Sequence, residues 1–149
     1  MSHSPFIALL LASTLWLCAP LAQAASTEPA AGTESVRAEV LLKTSASWDG
    51  KAYAAYPEGK PELTLLKITI PPHTSLPWHT HPMPNAAYVL SGSLTVQKKA
   101  DGLQKQLRAG DTLPEMVGET HRGFTGDEAV ELLVFYAGSP GMALSHQAD

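Results

Sequence analysis

Pro71-Pro72-His73-Thr74-Ser75-Leu76-Pro77-Trp78-His79-Thr80-His81-Pro82-Met83-Pro84-Asn85 is the stretch on which the reading of this chain turns. Pro77 and Pro82 exclude helix around them, so the segment between them is expected to be extended. In an extended segment residues i and i+2 project from the same face. The imidazoles of His79 and His81 then point to one side, where both can reach a single cation. A lone His-x-His pair is a weak signal, because two such histidines also serve as a polar or hydrogen-bonded surface pair. The rest of the chain has to decide.

The residues on either side read as strands. Short apolar runs at 36–43, 62–70, 86–90, 94–98, 103–107 and 129–136 are punctuated at Asp49-Gly50, Pro71-Pro72, Ser91-Gly92, Asp101-Gly102, Gly110-Asp111 and Gly126-Asp127. Outside the amino-terminal segment no window sustains a helical period over three turns. That combination is an all-β pattern, and a small sandwich or barrel is expected. In the last run Val130, Leu132, Val134 and Tyr136 alternate with Glu131, Leu133 and Phe135, so the strand is apolar on most of both faces and belongs in the centre of a sheet.

A length of 149 residues predicts one domain. With 44% hydrophobic and 16% charged residues the chain has the apolar content for a packed core. A net charge of -4, with no basic run longer than Lys98-Lys99, argues against nucleic acid or an anionic membrane as partner. The run from Phe6 to Ala19, interrupted by Ser13 and Thr14, is shorter than the roughly 20 residues that cross a bilayer. Pro20 and Ala22-Gln23-Ala24 follow it. Residues 1–24 are therefore expected to be a signal peptide, with the mature chain beginning at Ala25 or Ser26 in the periplasm or medium and no membrane contact after cleavage. Leu17 stands before Cys18 where lipid attachment needs a small residue. Cleavage removes the single cysteine, so neither disulfide nor thiolate chemistry is available, and histidines and carboxylates must carry any reaction. Residues 25–35 read as a flexible leader, 36–140 as the domain and 141–149 as a polar tail, in which His146 is given no specific role.

Two sets of spacings resemble the cupin family. Its first motif is Gly-x5-His-x-His, three or four residues, Glu, six residues and Gly; its second is Gly-x5-Pro-x-Gly-x2-His-x3-Asn. His79, His81 and Gly92 fall on the first, and Gly110, Gly118 and His121 on the second. The resemblance covers about half of the chain and implies an all-β fold, a single-domain jelly-roll β-barrel. It further implies one divalent ion (Fe, Mn, Ni, Cu or Zn) held by His79, His81 and His121. Four positions depart from the motifs: His73 replaces Gly, Asn85 replaces Glu, Met116 replaces Pro and Thr125 replaces Asn. Of these only Asn85 bears directly on the metal: by the resemblance it would be the fourth ligand, offering a neutral amide oxygen where the family has a carboxylate, or else would stand behind the ligands without touching the ion. A divalent ion then keeps more of its charge, which favours an anionic oxygen ligand in the open position.

Glu119 lies two residues before His121 and shares its face if that stretch is extended. It is the candidate general base, with replacement ligand, acceptor for an imidazole N–H and solvated turn residue as its other readings. Glu115, Arg122 and His73 read as rim or turn residues, and Trp78, Met83, Tyr88 and Phe124 as pocket walls or plain core. Nucleophile elbows, phosphate-binding glycine loops, dinucleotide fingerprints and His-Glu-x-x-His helices are absent from the sequence. Two function classes remain: a metal-dependent, dioxygenase-like oxidoreductase acting on a small oxygen-rich molecule, and a module that binds or senses a metal or small ligand without turnover. The family resemblance also implies a homodimer.

Overall fold

The computed structural model describes Met1 and residues 35–148, and the compact unit treated below begins at Ala38. The signal peptide expected over 1–24 and nearly all of the leader expected over 25–35 lie outside the described residues. Nine strands follow in order: β1 (Glu62–Ile70), β2 (His79–Thr80), β3 (Asn85–Ser91), β4 (Ser93–Lys98), β5 (Gln104–Arg108), β6 (Thr112–Pro114), β7 (His121–Phe124), β8 (Val130–Gly138) and β9 (His146–Gln147). Among the described residues there is no helix.

The strands form two antiparallel sheets, ordered β1-β8-β3-β6 and β5-β4-β7-β2-β9. This is the all-β fold expected from the strand pattern, with the two-sheet jelly-roll arrangement that the cupin resemblance implies. β8 lies between β1 and β3, as its apolar character on both faces requires. Its Val130, Leu132, Val134 and Tyr136 are buried between the sheets. Ile70 from β1, Val89 from β3, Val96 from β4 and Leu107 from β5 meet them there. Side chains of this kind stabilise the fold by about 2–5 kcal/mol each, as judged by truncation to Ala.

The chain crosses from β3 in one sheet to β4 in the other at Gly92, whose φ is +75°. A Cβ on Gly92 would come within 2.0 Å of the Ala129 carbonyl oxygen, so no side chain fits without separating the two backbones. A second local feature explains a departure from the family motif. His73, standing in the slot of the first motif glycine, has φ +52°, the left-handed region that glycine enters without strain. Thr125, in the slot of the final Asn, does a local tethering job. Its Oγ1 donates to the Pro71 carbonyl at 2.6 Å and accepts from the Thr74 amide at 3.0 Å, which ties the β1–β2 connection to the end of β7.

Two expectations change. The run 36–43 forms no strand: Val40, Leu41 and Leu42 are exposed, and the Leu41 carbonyl meets the Thr112 hydroxyl instead of a ladder partner. An apolar run by itself does not supply the sheet edge that a strand must join. The tail, in turn, is structured. β9 pairs with β2 in the register Thr80↔His146 and His79↔Gln147, and the Ala148 amide donates to the Trp78 carbonyl. The polar tail thus supplies one of the two neighbours that hold the His-x-His strand.

Candidate metal centre

β2 lies between β7 and β9, and His79 stands directly opposite His121 in the antiparallel register. Directly opposed residues on one sheet face bring their side chains together. His81 projects to the same side as His79, two residues on, and its backbone is fixed to the second motif through a bridge to Val117 and through the Gly118 amide bonding to its carbonyl. Gly118, with φ +72°, bends the chain between that bridge and β7. The three rings pack with centroids 4.9, 4.5 and 5.1 Å apart, and one ring nitrogen of each lies within 4.8 Å of the others. His81 and His121 are buried, and His79 is half-buried.

Each ring is oriented by its own Nδ1. His79 Nδ1–H donates to the Pro77 carbonyl at 2.8 Å, His81 Nδ1–H to the Leu144 carbonyl at 2.7 Å, and His121 Nδ1–H to the Glu119 carbonyl at 2.8 Å. A proton held on Nδ1 leaves Nε2 as the lone-pair atom, which is the arrangement that metal-bound imidazoles take. Burial draws His79 and His81 below the ordinary 6.5, so both are neutral near pH 7 and able to ligate. Burial would lower His121 as well, but Glu115 beside it outweighs that and holds His121 above 6.5. The donor set therefore fits a divalent transition ion: three imidazoles with fixed tautomers, closely grouped and largely withdrawn from water.

The cavity the histidines enter has a volume of about 60 Å³, room for an ion and a few water-sized groups. Its apolar walls include Ile68, Leu76, Leu94, Leu132, Val134 and Tyr136. The Tyr136 ring stands edge-on to His81 at 5.7 Å, and burial pushes its hydroxyl up to about 12, so it stays a neutral phenol. Trp78, Met83, Tyr88 and Phe124 do not line this cavity. Arg122 and Phe124 alternate outward from the buried His121 and Gly123 of β7. On that outer face the Arg122 guanidinium lies over Trp78 at 4.4 Å and holds Gln97 through two hydrogen bonds.

The carboxylates are arranged differently from the sequence expectation. Glu119 is not among the residues lining the cavity; its carboxylate pairs with Lys51, and only its backbone carbonyl serves the site, through His121. Glu115, expected at the rim, is inside. It follows β6, lines the cavity, and places Oε2 3.2 Å from His121 Nε2. Burial raises its pKa, but the contact with His121 more than offsets this and keeps the group ionised, below the usual 4.5. The apolar residues around it, Leu113 and Met116, gave the one signal that the sequence offered: both are fully buried, and a Glu between them cannot turn far from the interior. Asn85 begins β3 on the same buried face as Ala87 and Val89. Its Nδ2 donates to the Met83 carbonyl at 3.3 Å, its Oδ1 has no partner among the described residues, and it borders a separate groove of about 450 Å³.

A family model described as the cupin domain matches residues 66–136. Together with the two-sheet fold, this match identifies residues 66–136, just under half of the chain, as a domain of the cupin superfamily. Among solved structures, the chain is similar to DMSP lyase DddQ from Ruegeria pomeroyi, with 21% identity and a TM-score of 0.53 over 66% of this chain and 47% of that one. It is also similar to the polyketide cyclase RemF from Streptomyces resistomycificus, with 23% identity and a TM-score of 0.52 over 58% of this chain and 61% of that one. The chain thus spans about half to three fifths of the length of these proteins, and at such identities the likeness is one of fold. No curated protein sequence matches it.

Proposed function

We propose that this protein is an exported, metal-dependent cupin that takes a small oxygen-rich organic molecule at the ion and transforms it by dioxygenase-like oxidoreductase chemistry. The observation that carries the proposal is the locking of all three Nδ1 atoms onto backbone carbonyls, which leaves three Nε2 lone pairs grouped at one cavity. His79, His81 and His121 would hold the ion. Bound there, Fe, Mn, Ni, Cu or Zn supplies Lewis acidity toward a chelating oxygen ligand, and a redox-active metal also supplies dioxygen activation. The chain's own residues fix the imidazoles, exclude bulk water through the apolar walls, and keep a neutral phenol at Tyr136 beside His81.

A second reading, a binding or sensing cupin without turnover, is favoured by the small cavity and by the Glu119 carboxylate being engaged with Lys51, away from the cavity. The deciding experiment loads the purified protein with each metal in turn and adds small chelating acids and catechols while dioxygen consumption and the optical spectrum are followed. Turnover with any metal supports the enzyme. Saturable spectral change with no product supports the binder.

Export rests on the short apolar run and Ala22-Gln23-Ala24, and intact-mass measurement of protein recovered from the periplasm or medium should give a chain beginning at Ala25 or Ser26. A homodimer is supported by exposed apolar groups on neighbouring strands, Leu63 and Leu65 of β1 and Phe135 of β8. Light scattering at micromolar concentration tests it, a monomeric mass being the opposing result.

A further inference from the structure

Among the described residues, two buried atoms at the cavity have no hydrogen-bond partner, Glu115 Oε2 and His121 Nε2, and they face each other at 3.2 Å. In the neutral, ligating form of His121 the proton sits on Nδ1, which donates to the Glu119 carbonyl, and Nε2 then presents a lone pair. A carboxylate oxygen is also an acceptor. Two buried acceptors at this separation repel unless an electrophile lies between them. The pair is not aligned as an N–H···O bond, so the proton that Glu115 favours on His121 is poorly held between them and a metal ion can displace it. Their spacing does suit two donors of one ion. Ligands about 2.0–2.2 Å from a metal, at octahedral or tetrahedral angles, stand roughly 2.8–3.6 Å from each other.

Asn85 is placed differently. Its side-chain N–H₂ is committed to the Met83 carbonyl, and although it shares the buried face of Ala87, it is not among the residues that line the histidine cavity. The backbone connects the two positions directly, because the Glu115 amide donates to the Asn85 carbonyl at 3.0 Å. Glu115 thus stands beside Asn85 on the neighbouring strand's end, next to the position where the family motif has its carboxylate. The Glu115 backbone is held from the other side as well, its carbonyl accepting from the Tyr53 hydroxyl at 2.7 Å.

We infer that Glu115 supplies the anionic ligand of the metal site, completing a three-histidine, one-carboxylate set whose carboxylate comes from the end of β6 instead of from Asn85 on β3. This rests on the three-histidine site proposed above. It narrows what that site binds: with one ligand charge already in place, a divalent ion keeps about one unit of positive charge, so the open positions take a monoanionic or neutral oxygen chelator more readily than a dianion.

The test uses Co²⁺ as a visible-spectrum probe and Zn²⁺ affinity measured against a chromogenic chelator, on the full mature chain. Circular dichroism and a melt of each metal-free variant check folding. The Glu115→Gln variant, nearly isosteric, is expected to weaken Zn²⁺ binding by about 100-fold and to change the Co²⁺ bands, and Glu115→Asp to fall between it and the parent. In Glu115→Ala, added acetate should restore part of the affinity by entering the vacated ligand position. Asn85→Ala should leave the Co²⁺ bands in place. Unchanged bands and affinity in Glu115→Gln, with binding abolished in His81→Ala, overturn the assignment of Glu115 and leave the three-histidine site standing. A band change in Asn85→Ala but not in Glu115→Gln also overturns it. Equal binding by the parent and His81→Ala overturns the site and this inference together.

Discussion

The two arms of the site, residues 79–85 and 115–121, reach the same cavity with opposite chemistry. The first supplies two imidazoles on one extended strand and ends in a neutral amide. The second supplies one imidazole and two glutamates separated by the bend at Gly118. Those glutamates are only four residues apart, yet Glu115 is buried against His121 while Glu119 lies beside Lys51. Proximity in sequence to His121 therefore says little about which carboxylate faces the histidines. The bend sorts them: the residue next to β6 is held between buried Leu113 and Met116, and the residue after Gly118 meets the 46–52 loop.

The comparison breaks most completely if either arm alone holds the metal. Replacing His81 on the first arm or His121 on the second by Ala should each lower affinity by well over about 100-fold, beyond what loss of an outer hydrogen-bond partner costs. Isothermal titration with Zn²⁺ reads this, and His146→Ala, on β9 outside the cluster, serves as the control. A large loss from one arm only would show that the arms do not share an ion.

Moving the charge from one arm to the other is the next largest effect. In a Glu115→Gln background, Asn85→Glu should recover affinity to within roughly tenfold of the parent, because a carboxylate at the family's usual position restores the Coulomb attraction. Failure to recover, in a double variant that melts normally, would mean that residue 85 cannot reach the ion.

The loop that meets Glu119 makes a prediction about stability instead of metal. Asp49 in this loop has a side chain only 3% exposed and bonded to Lys98 at 2.7 Å. Its burial raises the carboxyl pKa, but hydrogen bonds from Lys98 and Ser47 and the backbone of Lys51 prevail and bring it from 3.8 to about 2. A depressed folded-state value means that the contribution is complete above pH 3.8 and is lost as pH falls toward 2. It amounts to about 2 kcal/mol. Asp49→Asn should lower stability by that order at pH 7 in urea unfolding, and the difference from the parent should vanish near pH 2.

Smaller effects belong to the outward side. Glu119→Gln removes a partly exposed ion pair with Lys51 and should change stability by less than about 1 kcal/mol, with metal affinity held, since His121 is anchored by the Glu119 carbonyl and not by its carboxylate. A tenfold loss of metal in Glu119→Gln would restore it to the catalytic role its sequence position suggested. The smallest change expected is in His73→Gly, which relieves a left-handed backbone while adding glycine's entropy cost, for a net gain below about 1 kcal/mol in the same assay.

The sequence alone determined the strand-rich fold, the central place of β8 and the pairing of His79 with His81, by local rules: turn residues between apolar runs, alternation along a strand, and the i, i+2 geometry of an extended His-x-His. His121 was added to that pair only by the resemblance to the cupin motifs. The sequence did not determine that 36–43 stays out of the sheets, that the tail returns as β9 to steady β2, or which glutamate faces the histidines. Each of those depends on a partner far away in the chain. A strand needs an open sheet edge, His81 needs the Leu144 carbonyl, and the choice between Glu115 and Glu119 is made by Leu113, Met116 and Lys51 packed around a single glycine bend. Burial and pairing are properties of the assembled barrel, so only the tertiary structure could assign them.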